Sequence, residues 1–172
     1  MNRILLLVAL VLALVVLTLS GSVYASLPAL IPTHFGMAGA DRWMPRSFAR
    51  WMSLPLLGIG LSALNYLMGA LFAGRPGLIN IPRKARLLAL PRERQQHVMR
   101  WWWFLMQAIA IAELALLGVA QYGLWRAAVS QAFEGRLIGA AVGFVALGMV
   151  PLSLYIIWQM SAEIVRQEAD PG

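Results

Sequence analysis

The chain has 172 residues, of which 60% are hydrophobic and only 12% are charged. A soluble domain is nearer half apolar and a quarter charged, so this composition indicates a membrane protein. The absence of cysteine excludes disulfides, thiolate metal sites and cysteine nucleophiles. The formal charge of +7 does not indicate nucleic acid, because the basic residues border the apolar segments, where they suit anionic lipid headgroups.

Four stretches are apolar over the roughly 20 residues that a helix needs to cross about 30 Å of hydrocarbon. None of them has polar residues recurring every three to four positions, the pattern that gives a soluble helix its polar face. The sequence therefore predicts an all-α integral membrane protein, a four-transmembrane-helix bundle with up-down topology. The predicted spans are residues 4–24, 51–73, 101–122 and 137–160.

The first span has an alternative interpretation. It begins after Arg3 and ends near Val23-Tyr24-Ala25, which is also the arrangement of a secretory signal with a small-residue cleavage site. Because the apolar run is longer than in most signals, we expect it to remain as a span. Cleavage would leave the later spans in the same orientation.

The outer loop, residues 25–50, contains the most distinctive motif of the chain. Its prolines fix the backbone dihedral φ, and its glycines permit tight turns, so we predict a rigid elbow that folds back over the bundle. Asp41 is expected to cap the turn or to pair with Arg42 or Arg46. The residues assigned to the elbow itself are Pro28, Ile31, Pro32, Phe35, Gly36, Gly39 and Trp43.

His34 lies within this motif, and three roles are open for it. It is a hydrogen-bonded strut, a contact to a ligand or metal, or a pH sensor. One histidine and one aspartate do not make a zinc site, which needs three or four ligands, and we predict no metal and no cofactor. The candidate ligand or signalling residues are His34, Thr33, Asp41 and Glu113.

The loop at residues 74–100 carries the densest basic cluster, so the positive-inside rule places it in the cytoplasm, against anionic headgroups. Both termini are then cytoplasmic as well. Leucines such as Leu87 and Leu88 alternate with the basic residues, which predicts a short helix on the membrane surface. The basic residues of the loop are Arg75, Arg83, Lys84, Arg86, Arg92, Arg94 and Arg100.

Glu113 is the acidic residue well inside a predicted span, and an acid at such a position is a functional hypothesis by default. We expect it to face the bundle interior, with Thr18 as its hydrogen-bond partner and with room left by Gly58. A neutral acid bonded to a hydroxyl is the structural alternative.

Two pairs of small residues are spaced for close helix packing. Gly139 and Gly143 form a GxxxG pair on the fourth span, and Gly58 and Ser62 form a similar pair on the second. We expect both pairs to pack within the bundle, with homodimerisation as the alternative.

The outer motif, Leu27-Pro28-Ala29-Leu30-Ile31-Pro32-Thr33-His34-Phe35 with the glycines and Asp41 that follow, resembles the family catalogued as domain of unknown function 1648. A second motif in the cytoplasmic loop also resembles that family, although it departs from the family pattern at Leu87 and Leu88, where an aromatic is common, and by one residue in spacing. Together the motifs extend the resemblance over about residues 1–160. The second motif consists of Asn80, Pro82, Lys84, Pro91, Glu93 and Arg94.

This resemblance implies a small bacterial protein of the plasma (inner) membrane, in a family without an established general activity. SdpI-type immunity proteins, which protect a bacterium from a secreted toxin and sequester a repressor, are longer relatives of it. The leading hypothesis is a non-enzymatic sensor, immunity or binding protein whose outer loop takes a toxin, a peptide or a lipid. The alternatives are a membrane-embedded enzyme that uses Glu113 and His34, a transporter subunit with Glu113 as proton site, and an accessory subunit. A protein partner and a homo-oligomer are both open, and no nucleic acid is expected.

Overall fold

The computed structural model describes residues 3–36, 39–130 and 135–169. Two turns of 3-10 helix, Tyr24–Ser26 and Pro76–Leu78, follow the first two helices. The elements in chain order are α1 (Arg3–Val23), β1 (Leu30–Gly36), β2 (Gly39–Pro45), α2 (Phe48–Gly74), α3 (Lys84–Ala89), α4 (Arg92–Ser130) and α5 (Gly135–Ala169).

Helices α1, α2, α4 and α5 are long and apolar enough to cross a membrane. Large apolar side chains cover their outward faces, and Phe144 and Leu147 are 81% and 79% exposed. A soluble monomer rarely presents contiguous apolar surface of this extent. The prediction of four membrane-spanning helices is therefore confirmed, and the chain is a multi-pass membrane protein.

Helix α4 is much longer than its predicted span. It has 39 residues and is about 58 Å long, against about 30 Å for a hydrocarbon core. It begins directly after Pro91, whose missing N–H suits the start of a helix. Because it continues to Ser130 without a break, one helix connects the two ends of the bundle.

Neighbouring helices run antiparallel. Between α1 and α2, the Tyr66 hydroxyl donates to the Leu5 carbonyl (3.4 Å) at one end, and the Trp51 indole donates to the Ser20 carbonyl (2.7 Å) at the other. Between α2 and α4, the Ser62 hydroxyl donates to the carbonyl of Ala110 at 3.0 Å. We call the end that carries β1 and β2 the hairpin end, and the end that carries residues 75–91 the basic end.

The predicted elbow is in fact a β-hairpin. Strands β1 and β2 pair antiparallel from Leu30↔Pro45 to Gly36↔Gly39, with irregular register between Pro32 and Phe35. Prolines are tolerated because both strands of a two-stranded sheet are edge strands, where a missing N–H need not break a ladder. The all-α prediction holds for the bundle but missed this hairpin.

The basic end is packed more deeply than predicted. Leu87 of α3 is fully buried, so α3 does not simply lie on the membrane surface. It belongs to a hydrophobic cluster that joins the loop to α4 and α5. The buried members of this cluster are Ile79, Ile81, Leu87, Leu90, Val98, Met99, Leu105, Met106, Ile156, Met160 and Ile164.

Three arginines fasten this end to the last turns of α5. Arg83 donates to the Ser161 carbonyl (3.3 Å), and Arg94 donates to the Gln167 carbonyl (2.6 Å). Arg86 forms an ion pair with Glu168 at 3.3 Å. Cations at the C-terminal end of a helix also compensate its dipole, so α5 is held firmly here.

The two small-residue pairs behave differently. Gly58 lies against Leu117 and Ser62 against Ala110, so this pair is where α2 and α4 approach closely. A Cβ placed at Gly139 or Gly143 would meet no atom within 4 Å in the described part of the chain. The expected packing of this second pair inside the bundle is therefore absent from the described residues.

Candidate functional site

The hairpin is held on the bundle by Trp51, which is only 3% exposed. Its indole N–H donates to the Ser20 carbonyl at 2.7 Å and so ties α2 to the end of α1. Pro55 has no N–H to give to the Trp51 carbonyl, and this carbonyl accepts instead from the side-chain amide of Gln121 at 3.2 Å. Helices α1, α2 and α4 therefore meet at one residue.

Apolar side chains of the hairpin pack on this junction. Leu27 and Ile31 are buried in one cluster with Trp51, Met52 and Ala128. Ala128 lies near the end of α4, so the base of the hairpin rests directly on that helix. Its position relative to the bundle is thus fixed by packing.

Arg46 joins the segment that leaves the hairpin to the segment that enters it. Its guanidinium donates to the carbonyls of Leu27 (2.6 Å) and Ala25 (3.3 Å) and lies over the ring of Tyr24. Its backbone N–H donates to the Ala29 carbonyl at 2.8 Å. The predicted pair of Arg46 with Asp41 is therefore not formed, because the Arg46 guanidinium is bound to these carbonyls.

Asp41 pairs with His34 across the two strands. The distance from Nδ1 of His34 to Oδ1 of Asp41 is 2.6 Å, and the two side chains are 57% and 52% exposed. Asp41 was predicted to pair with Arg42 or Arg46, but its ion-pair partner in the described part of the chain is His34. An exposed pair of this kind contributes only about 0–1 kcal/mol, so stability gives little reason for it.

The other motif residues surround this pair. Thr33 donates its hydroxyl to the Arg42 carbonyl at 3.4 Å. Pro32 is buried, whereas Pro28 is exposed and Trp43 is partly exposed. Phe35 pairs with Ala40, and Gly36 with Gly39, next to the turn, while the Phe35 side chain lies outside the described part. Within the described ranges, no three metal-ligating side chains come together.

Glu113 has a partner that the sequence did not reveal. Its Oε2 accepts from the side-chain amide of Asn65 on α2 at 2.7 Å. The expected partner, Thr18, is exposed and donates to carbonyls of its own helix, those of Leu14 and Val15. Asn65 lies about one helical turn nearer the basic end than Glu113, but side chains lean toward the N-terminus of their helix. Because α2 and α4 are antiparallel, these two side chains lean toward each other.

Glu113 also lines a cleft between α4 and α5. The cleft has a volume of about 420 Å³, and its walls are almost entirely apolar. The two helices pack tightly nearer the basic end, in the cluster that contains Met106 and Ile156, and they separate at the level of Glu113. The acid is therefore placed between Asn65 on one side and an apolar cleft on the other.

The structure does not bring His34 and Glu113 together. Ala128, which packs under the hairpin, lies about 22 Å along α4 from Glu113. His34 is exposed on the hairpin beyond that point. The two groups therefore do not share one site.

The second sequence motif lies at the opposite end of the bundle. Asn80, Pro82, Pro91 and Glu93 are exposed, and Lys84 is half-buried. Arg94 is the member with a clear contact, its hydrogen bond to α5. A second, wider cleft of about 740 Å³ opens nearby, with His97, Arg100 and Glu163 at its rim and Trp103 and Gln107 deeper in. Sequence reasoning had not found it, because its walls come from three helices.

Residues 4–59 match the family described as Domain of unknown function (DUF1648). They form a DUF1648 domain. This domain comprises α1, the hairpin and the first turns of α2, so it contains His34, Asp41, Arg46 and Trp51. The match ends before the second motif, which had been expected to extend the resemblance to about residue 160. No curated protein and no solved structure matches the chain.

Proposed function

We propose that the protein is a non-enzymatic binding protein of the bacterial plasma membrane that recognises an extended peptide, such as a peptide toxin, at its hairpin end. The observation that carries this proposal is the exposed His34–Asp41 pair on a hairpin that Trp51 and Arg46 fix to the bundle. A rigid base and an exposed polar surface are the properties of a recognition element. Stability does not account for the pair.

The hairpin favours a peptide over other ligands because it is a two-stranded sheet. The outer edge of β2, whose proline is its last residue, offers backbone N–H and C=O groups in a row, and an extended peptide pairs with such an edge. The hydroxyl of Thr33 and the side chains of His34 and Asp41 then supply specificity beside the backbone pairing.

The topology proposed with this function places the hairpin outside and the basic end in the cytoplasm. The basic cluster at residues 75–100 supports it. Several arginines also lie at the hairpin end, but Arg46 and Arg50 there donate to backbone carbonyls, Arg50 to that of Pro45 at 3.0 Å. Their structural roles explain why the charge bias between the two sides is incomplete.

Helix α4 supports a sensing role for the same protein. It contacts the hairpin base through Ala128, and its other end carries Arg94, which binds α5. A ligand that shifts the hairpin would move the far end of a continuous helix, where a cytoplasmic partner would detect it. SdpI-type immunity is one form that such a function takes.

A complementation experiment tests the proposed function. We expect a strain without the gene to become more sensitive to some members of a panel of envelope-active peptides, and wild-type protein to restore resistance. His34→Ala should fail to restore it, although its stability should fall by no more than about 1 kcal/mol, because the pair is exposed. The measurement is growth inhibition, with membrane levels checked by immunoblot.

The matched control is Arg75→Ala at the basic end, which should complement like wild type. Unchanged sensitivity of the deletion strain to the whole panel would contradict a role in peptide recognition. Full complementation by His34→Ala would show that the His34–Asp41 pair takes no part in peptide recognition.

A further inference from the structure

The cleft between α4 and α5 has the features of a binding site distinct from the hairpin. Its volume of about 420 Å³ lies within the range of small-molecule sites. Its rim includes Val150 and Leu154, which are exposed on the outer face of α5. In a membrane this face meets lipid, so a ligand would enter sideways from the hydrocarbon and must itself be largely apolar.

The charged residue in the lining of the cleft indicates the charge of the ligand. Glu113 is the acidic side chain in its described lining, and that lining contains no Lys, Arg or His. Ser153 is its other polar side chain, and the remaining walls are aliphatic or thioether. An unpaired carboxylate at this depth is costly, so a ligand that brings a positive charge removes that cost. A neutral or anionic ligand does not.

The hydrogen bond from Asn65 prepares the carboxyl group for this role. A carboxylate has two oxygens with about four lone-pair sites, and the Asn65 amide uses Oε2. This bond uses Oε2, and Oε1 is the oxygen that a cation in the cleft would contact. Asn65 approaches from α2, so it does not occupy the α4–α5 cleft itself.

We propose that the α4–α5 cleft binds a lipophilic cation, with the cationic centre at Glu113 and the apolar body between Ala112, Met149 and Leu154. The hairpin is remote from this cleft, so the cleft binds its ligand whether or not the hairpin binds a peptide. The site would serve a drug-like or lipid-like amine that partitions into the bilayer.

Binding of tetraphenylphosphonium to the full chain in phosphatidylcholine nanodiscs tests this site. Calorimetry, corrected with empty nanodiscs, should give saturable binding of about one cation per chain. Tetraphenylborate has the same shape and the opposite charge, and it should neither bind at this site nor compete. Glu113→Gln keeps an acceptor for Asn65 but loses the charge, and it should weaken binding at least tenfold.

Two further variants make the result decisive. Glu163→Gln removes an acid from the other cleft and should bind like wild type. Ala112→Phe fills the α4–α5 cleft without changing charge and should also weaken binding at least tenfold, which keeps the test valid if Glu113→Gln does not fold. Equal binding by wild type, Glu113→Gln and Ala112→Phe would overturn the proposal, and so would equal competition by tetraphenylborate or no binding by wild type.

Discussion

Replacing Trp51 with alanine is expected to destabilise the protein by about 3–5 kcal/mol. The side chain is almost completely buried in the cluster that supports the hairpin, so its removal leaves a large cavity. The indole bond to the Ser20 carbonyl is lost as well, and this loss is part of the expected cost. The hairpin base should loosen before the rest of the bundle, because α1 and α2 are joined there.

The measurement is a denaturant or steric-trapping titration in bilayer mimetics, together with hydrogen exchange of the hairpin amides. Trp51→Phe keeps most of the packing and loses the indole N–H, so it should cost clearly less than alanine. Trp158→Ala is the matched control, because Trp158 is 62% exposed on the outer face of α5. Similar losses for Trp51→Ala and Trp158→Ala would show that Trp51 does not hold the hairpin on the bundle.

Gly69→Ala is expected to cost about 1–3 kcal/mol, although alanine is normally the better helix former. A Cβ at Gly69 would lie 2.5 and 2.6 Å from two ring carbons of Trp103 and 3.1 Å from Cβ of Met106. An indole ring is rigid, so it does not bend aside as the end of a flexible chain does. The two helices must therefore separate, or the Trp103 ring must turn into the wide cleft that it lines.

The same titration measures this effect, and α2 supplies the control. A Cβ at Gly60 would meet no atom of a neighbouring element within 4 Å among the described residues, so Gly60→Ala should be neutral or stabilising by up to about 1 kcal/mol. Combining Gly69→Ala with Trp103→Phe, which shortens the ring system, should recover part of the loss. If Gly69→Ala and Gly60→Ala are equally stable, close approach at Gly69 does not hold α2 against α4.

The spans were predictable from sequence because a long apolar run is sufficient on its own to indicate a membrane helix. Their ends were not, since charged segments such as residues 92–100 continue the helix outside the hydrocarbon. The sequence does carry a hairpin signal, because Ile31, Thr33 and Phe35 alternate along β1 and Gly36 and Gly39 flank a turn. Proline is uncommon inside strands, so the prolines of this loop favoured the prediction of an irregular elbow.

The environment of Glu113 was only partly accessible from sequence. Counting helix rise gives the depth of a Cα atom, and this count favoured Thr18 over Asn65. Which residues face each other depends also on the rotation of each helix about its axis and on the lean of side chains toward the N-terminus. Neither can be read from an apolar run, and the cleft beside Glu113 depends on how far α5 diverges from α4.

The burial of Leu87 at the basic end also depends on contacts between residues far apart in the sequence, so it was not predictable from the local pattern. Leu87 alternates with basic residues, a pattern typical of a helix at a membrane surface. Its full burial results from α5 returning to the loop, with Arg83, Arg86 and Arg94 as the connections. These contacts join residues far apart in the sequence.

Single-cysteine labelling with a membrane-impermeant maleimide most directly tests whether the bilayer surrounds this bundle with the hairpin outside, and the chain has no cysteine of its own. In intact cells we expect Ala29→Cys, before β1, to react, and Ala85→Cys, in α3, to react only after permeabilisation. Leu147→Cys should stay unlabelled in both conditions although Leu147 is 79% exposed, because lipid covers it. Labelling of Leu147→Cys at the rate of the loop positions would contradict the membrane fold, and labelling of Ala85→Cys but not Ala29→Cys in intact cells would reverse the topology.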